Sequence, residues 1–66
     1  MYLFFEADDG SRRLIGLPET NEEAHQLITD FLNDHNFKSY YRREWKENGE
    51  LYIDVGSHTE FFVLVT

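Results

Sequence analysis

Three histidines, a serine–histidine step and thirteen carboxylates are the side chains of this 66-residue chain whose types could do chemistry. His58 follows Ser57 directly, with Asp54 and Glu60 close by, and imidazole nitrogen with carboxylate oxygen suits a weak site for a divalent cation. The spacing puts all four in or beside one turn, where side chains are solvated. Ser57 and His58 do not read as nucleophile and base, because adjacent residues seldom present the two in hydrogen-bond geometry and nothing nearby marks an oxyanion hole. His25 and His35 fall on one helical stretch about 15 Å apart along its axis, too far to share a metal. Asp8-Asp9-Gly10 lacks the ligand spacing of a calcium loop, and with no cysteine there is no thiolate. The chain is therefore expected to be no enzyme and to hold no metal or other cofactor.

A second pattern is the stretch YYRREWK at 40–46, which interleaves aromatics with positive charges in a chain that has six basic residues against thirteen acidic ones. A formal charge of −7 repels phosphate backbones and anionic membrane surfaces. A single-stranded nucleic-acid surface, with bases stacked on Tyr40 and Tyr52, has the rings but the wrong field. Charges along an edge strand, which discourage edge-to-edge aggregation, account better for the stretch.

These residues need elements to position them. Residues 2–7 are aromatic-rich and end at Asp8-Asp9-Gly10-Ser11, a turn signal; 12–17 return as a second strand, which Pro18 stops. Thr20 with Glu23 three residues on fits a capping box. Ala24, Leu27, Ile28, Phe31 and Leu32 then form one apolar stripe at helical spacing, so a helix is expected over about 21–35, with Asn36 as a left-handed C-terminal cap. Three further strands are expected at 38–46, 50–55 and 60–65. The order ββαβββ implies one α+β domain over 1–66, a two-layer sandwich with an antiparallel sheet in the order 2-1-5-4-3 and one helix on one face.

Register decides which side chains face the helix. A two-residue Asn48-Gly49 loop would set Lys46 opposite Leu51 and Glu44 opposite Ile53. A three-residue loop, Glu47-Asn48-Gly49, instead sets Trp45 opposite Leu51 and Arg43 opposite Ile53, and it keeps the apolar set together. On that register Tyr41 and Trp45 face the helix, while Tyr40, Arg42, Glu44 and Lys46 line the outer face, with charge pairs Lys46–Glu50 and Arg42–Asp54.

A chain this short buries about 60% of its unfolded surface and is expected to expose roughly 4,400 Å² when folded. Hydrophobic residues at 41% and aromatics at 17% suffice for a core, but small domains usually add a disulfide, a metal or a partner subunit. Strands 1 and 5 carry apolar residues on both faces, more than one helix covers, and a large apolar patch marks a partner surface. The function expected from the sequence is therefore a non-catalytic interaction module that binds itself, as a homodimer, or another protein through the outer sheet face. The contact residues expected are Tyr40, Arg42, Tyr52, Phe61 and Val63, with the register of strand 5 left open. An acidic inhibitor imitating nucleic-acid charge is the alternative. The N-terminal residues lack the basic lead and cleavage site of a signal peptide, and no apolar run approaches the ~20 residues of a membrane span; the expected location is the cytoplasm.

Overall fold

The computed structural model describes residues 1–38, 41–57 and 59–66. Its helix, α1 (Asn21–Asp34), begins where the sequence supplies a cap: Thr20 is extended, and its hydroxyl accepts from the Glu23 amide. The Glu23 carboxylate reaches back one residue further than a standard capping box, to the Glu19 amide. Glu22 and Glu23 lie in the first turn, where the helix dipole favours negative charge. At the other end Asn36 takes φ 54°, its amide donates to the Asn33 carbonyl, and the Phe37 amide donates to the Leu32 carbonyl. These two bonds make a Schellman motif, which satisfies carbonyls the helix leaves open.

Five antiparallel strands, β1 (Tyr2–Glu6), β2 (Arg12–Gly16), β3 (Arg43–Glu47), β4 (Glu50–Asp54) and β5 (Phe61–Val65), form one open sheet in the order β2-β1-β5-β4-β3. The architecture is the expected α+β sandwich with the helix on one face. In the first hairpin, reciprocal proximity of Ala7 and Ser11 closes a three-residue loop: Ala7 N donates to Ser11 O, Gly10 N donates to Ala7 O, and Gly10 takes φ 86°. Strand β3 starts later than expected, and residues 39 and 40 of the expected strand lie outside the described set.

The core lies between α1 and the inner sheet face. Ala24, Ile28 and Leu32 from the helix pack on Leu3, Ile53, Phe62 and Leu64, with Phe5, Ile15, Leu27, Phe31 and Leu51 around them. Phe31 meets Phe5 and Phe62 with ring centroids 5.0 and 5.4 Å apart. Gly16 lets the helix approach β2, because a Cβ there would stand 2.6 Å from Leu27 Cδ1. The accessible surface is 4514 Å², close to the size expectation.

The β3–β4 register is the one the sequence reading set aside. Trp45 pairs with Tyr52, Glu44 with Ile53 and Lys46 with Leu51, around a two-residue Asn48-Gly49 turn in which both residues have positive φ, 53° and 78°. That is the hairpin turn whose twist matches the strands, and Asn-Gly is its preferred pair. Burial did not outweigh it because β3 is the outermost strand and is exposed along its length. The slip of one residue turns every side chain of β3 over. Trp45 therefore faces away from the helix, and Tyr41, expected in the core, is exposed, with the Arg43 guanidinium 5.5 Å from its ring centre.

Candidate interaction surface

The outer sheet face takes alternate residues from each strand. Tyr2, Phe4 and Glu6 come from β1, Arg12 and Leu14 from β2, Phe61, Val63 and Val65 from β5, Tyr52 and Glu50 from β4, and Arg43, Trp45 and Glu47 from β3. The open question about β5 is thereby settled: Phe62 and Leu64 enter the core, and Phe61, Val63 and Val65 face outward. At the β3 side, Trp45 stacks on Tyr52 with ring centres 5.6 Å apart and planes 10° from parallel, and Phe61 meets Trp45 edge-on at 5.6 Å. Such aromatic arrangements add stability beyond the area they bury.

One cation organises this face. Arg12 on β2 donates from Nε to Glu6 at 2.8 Å, from Nη1 and Nη2 to the two oxygens of Glu50 at 2.9 and 3.0 Å, and from Nη2 to the Tyr52 hydroxyl at 3.2 Å. Glu50 belongs to β4, and β1 and β5 lie between it and β2. Three strand spacings alone separate the two backbones by about 14 Å, and because β2 and β4 run in opposite directions their first residues lie at opposite ends of the sheet, which adds to that. The sheet is therefore coiled so that the outer face is concave along this diagonal, and the Arg12–Glu50 fork crosses it as a strap. Val63, which faces the same way, is 0% exposed although no helix lies over it. The hydrogen bonds to Glu50 and Glu6 hold the Arg12 guanidinium charged at any accessible pH, the bond from Arg12 depresses the Glu50 carboxyl, and burial raises the Tyr52 phenol. What stays open lies around the strap: Tyr2 and Leu14 are about half exposed and Trp45 about a third.

The expected contact residues separate accordingly. Tyr52 and Phe61 lie on the outer face, and Val63 lies on it but is sealed. Tyr40 is outside the described residues. Arg42 is on the helix side: Nη2 donates to Thr29 Oγ1 at 2.6 Å, and Nη1 donates to His25 Nδ1 at 2.9 Å. Because a guanidinium only donates, His25 carries its proton on Nε2 and gives it to Glu44. Glu44 and Lys46 follow the same corrected register to the helix side, and the charge pairs are Arg43–Asp54 and Arg12–Glu50 in place of those expected. Sequence reading missed Arg12 altogether, since its main partner lies 38 residues away and no local pattern connects them.

The chemistry-bearing residues are engaged locally. Both Asp54 oxygens accept, from Arg43 and from the Gly56 amide. The Ser57 hydroxyl accepts from the Glu60 amide at 3.3 Å and faces the Glu60 carboxylate at 3.5 Å, while His58 is outside the described residues. His35 Nδ1 donates to the Phe31 carbonyl, and the ring stacks on Phe31. Among the described residues no cluster of three or more His, Asp or Glu forms a metal-binding group, and no helix is long and apolar enough to cross a membrane. A groove of about 450 Å³ opens at this end of the sandwich, with Phe5, Phe31, Phe62 and Val55 in its wall and Arg13 beside Phe31. Comparison with family models, curated proteins and solved structures found no match for this chain.

Proposed function

We propose that this chain is a non-catalytic protein-interaction module that docks protein on its outer sheet face. The observation that carries the proposal is a five-stranded sheet with its helix on one side only, whose other side presents Tyr2, Leu14 and the Trp45–Tyr52–Phe61 cluster to solvent. Exposed aromatics around a closed centre resemble the anchors that dominate protein interfaces, and a cytoplasmic setting suits a chain that relies on no disulfide. The acidic-inhibitor alternative is less well supported. Such an inhibitor needs free carboxylates in rows, whereas Glu6, Glu23, Glu44, Glu50 and Asp54 are engaged within the chain.

A photo-crosslinking residue placed at Leu14 tests this, with the same residue at Glu22 on the solvent side of the helix as control. Protein adducts are expected at position 14, are expected to be lost when Val65→Lys places a charge on the same face, and are not expected at 22. Equal labelling at both positions, or none at 14, would sink the proposal.

A further inference from the structure

The residues of β3 read Arg43-Glu44-Trp45-Lys46-Glu47, an order whose charges are antisymmetric about Trp45. The strand is at the edge of the sheet, exposed throughout, and carries no net charge in a chain of −7. We propose that this edge is the seat of a second copy of the chain: two β3 strands pair antiparallel about a two-fold axis at Trp45, joining two five-stranded sheets into one of ten strands. This goes beyond the proposed docking on the outer face, because it uses the free edge of β3, and it shares with that reading only that the chain binds protein.

Register and hydrogen bonding agree on that centre. In the two-residue hairpin the residues flanking the loop exchange both main-chain bonds, so Glu47, Trp45 and Arg43 turn their backbone groups toward β4. The N–H and C=O of Glu44 and Lys46 then point out from the free edge. Centring on Trp45 sets Glu44 opposite Lys46 of the second copy, and the reverse, as two hydrogen-bonded pairs, each with opposite side-chain charges. Trp45 meets its own copy at the closer, non-hydrogen-bonded position, and Arg43 lies opposite Glu47 of the second copy.

The neighbouring alternatives are each opposed by like charge. One step in either direction sets Arg43 opposite Lys46, or Glu44 opposite Glu47. Two steps set Glu44 or Lys46 opposite itself, and a parallel pairing in register does so for every charge. Lys46 and Glu47 have no ion-pair partner among the described residues, and Glu44 has a second oxygen besides the one facing His25. The opposite edge, β2, has no comparable pattern. Pairing it about Leu14 sets Arg12 opposite Gly16 and Arg13 opposite Ile15, and the bulge in its ladder disrupts a regular edge. Symmetric edge pairing is isologous and closes on itself, which limits the assembly to two chains.

Charge exchange tests the register directly. The wild-type chain should sediment mainly as a dimer at about 1 mM, well above a dissociation constant of roughly 10 μM, which corresponds to about 7 kcal/mol. Glu44→Lys and Lys46→Glu, each checked for native circular dichroism, should each lower the association constant more than tenfold. Mixed in equal amounts, these two variants should recover the dimer, because lysines at 44 and 46 of one chain then face glutamates at 46 and 44 of the other. A wild-type chain that stays monomeric, single variants that still dimerise, or a mixture that does not recover would overturn the proposal. Leu14→Lys, on the outer face, should leave this dimer intact; loss of the dimer with Leu14→Lys but not with Glu44→Lys would place the second copy on the face and refute the edge. In the edge dimer position 14 lies on β2, at the far side of the sheet from β3, so crosslinking there tests the outer face separately.

Discussion

Arg12 ties three outer-face side chains together, Glu6, Glu50 and Tyr52, and the acidity of Glu50 makes that tie depend on pH. The Glu50 carboxyl is held below its ordinary value by the bond from Arg12, while Arg12 itself stays charged. A carboxyl whose pKa is depressed by folding stabilises the native state above its unfolded pKa, and that stabilisation is lost as pH falls through the folded value. Glu50→Gln should therefore lower the melting temperature at neutral pH, and its gap from the wild type should close as pH is taken down through and below the ordinary carboxylate range. Melting curves from neutral to strongly acidic pH check this, and a gap independent of pH would show that the strap contributes no charge-dependent stability. At the alkaline end the sign is the reverse: burial raises the Tyr52 phenol, so folding is weakened as pH rises through and above the ordinary tyrosine value. None of this was legible beforehand. That β5 carries apolar residues on both faces was, with the outward set left as two alternatives, but the closure over Val63 depends on a long-range bridge and on sheet coiling, neither of which leaves a local pattern.

At the scale of elements, each local signal can be compared with the force acting against it. The helix stripe and its caps point to one structure, and tertiary contacts agree with them. Ile28, fully buried at the centre of that stripe, should cost about 2 to 5 kcal/mol as Ile28→Ala. That is a large part of the roughly 3 to 10 kcal/mol expected of a domain this size. Denaturant titration measures it, and a loss under about 1 kcal/mol would mean the helix does not pack as described. The β3–β4 hairpin had two signals in conflict, a turn pair against an apolar set, and the turn prevailed because an edge strand beyond the helix buries nothing on its inner side. Asn48 at φ 53° marks that outcome, since the three-residue loop puts only Gly49 in the left-handed region, and Gly49 at φ 78° completes the turn. Gly49→Ala should cost roughly 1 to 2 kcal/mol from the left-handed backbone alone, since a Cβ there meets no other atom. A neutral effect in chemical denaturation would show that residue 49 is not held in the left-handed region. The candidate surface was thus legible as a face and not as a residue set: Tyr52 was on it in either hairpin register, Phe61 and Val63 in one of the two alternatives for β5, and Arg42 left it with the one-residue slip.

At the scale of the molecule, a 66-residue chain with no disulfide has a small core and two open sheet edges. Self-association then shows in the stability itself, because a dimer that dissociates on unfolding is favoured by mass action. Each tenfold rise in concentration above the dissociation constant adds about 1.4 kcal/mol per dimer, hence about 0.7 kcal/mol per chain. A domain of this length gains about 4 to 8 °C per kcal/mol, so the melting temperature should rise roughly 3 to 6 °C per decade of concentration. The same scan on Glu44→Lys should be flat, because the variant has lost the contact while keeping its own sheet and helix. Differential scanning calorimetry over two decades of concentration reads both slopes. A flat wild-type profile up to millimolar concentration would leave the folded chain stable as a monomer, with the Arg12 strap and the aromatic cluster over Val63 serving in place of a subunit as the second layer of its core.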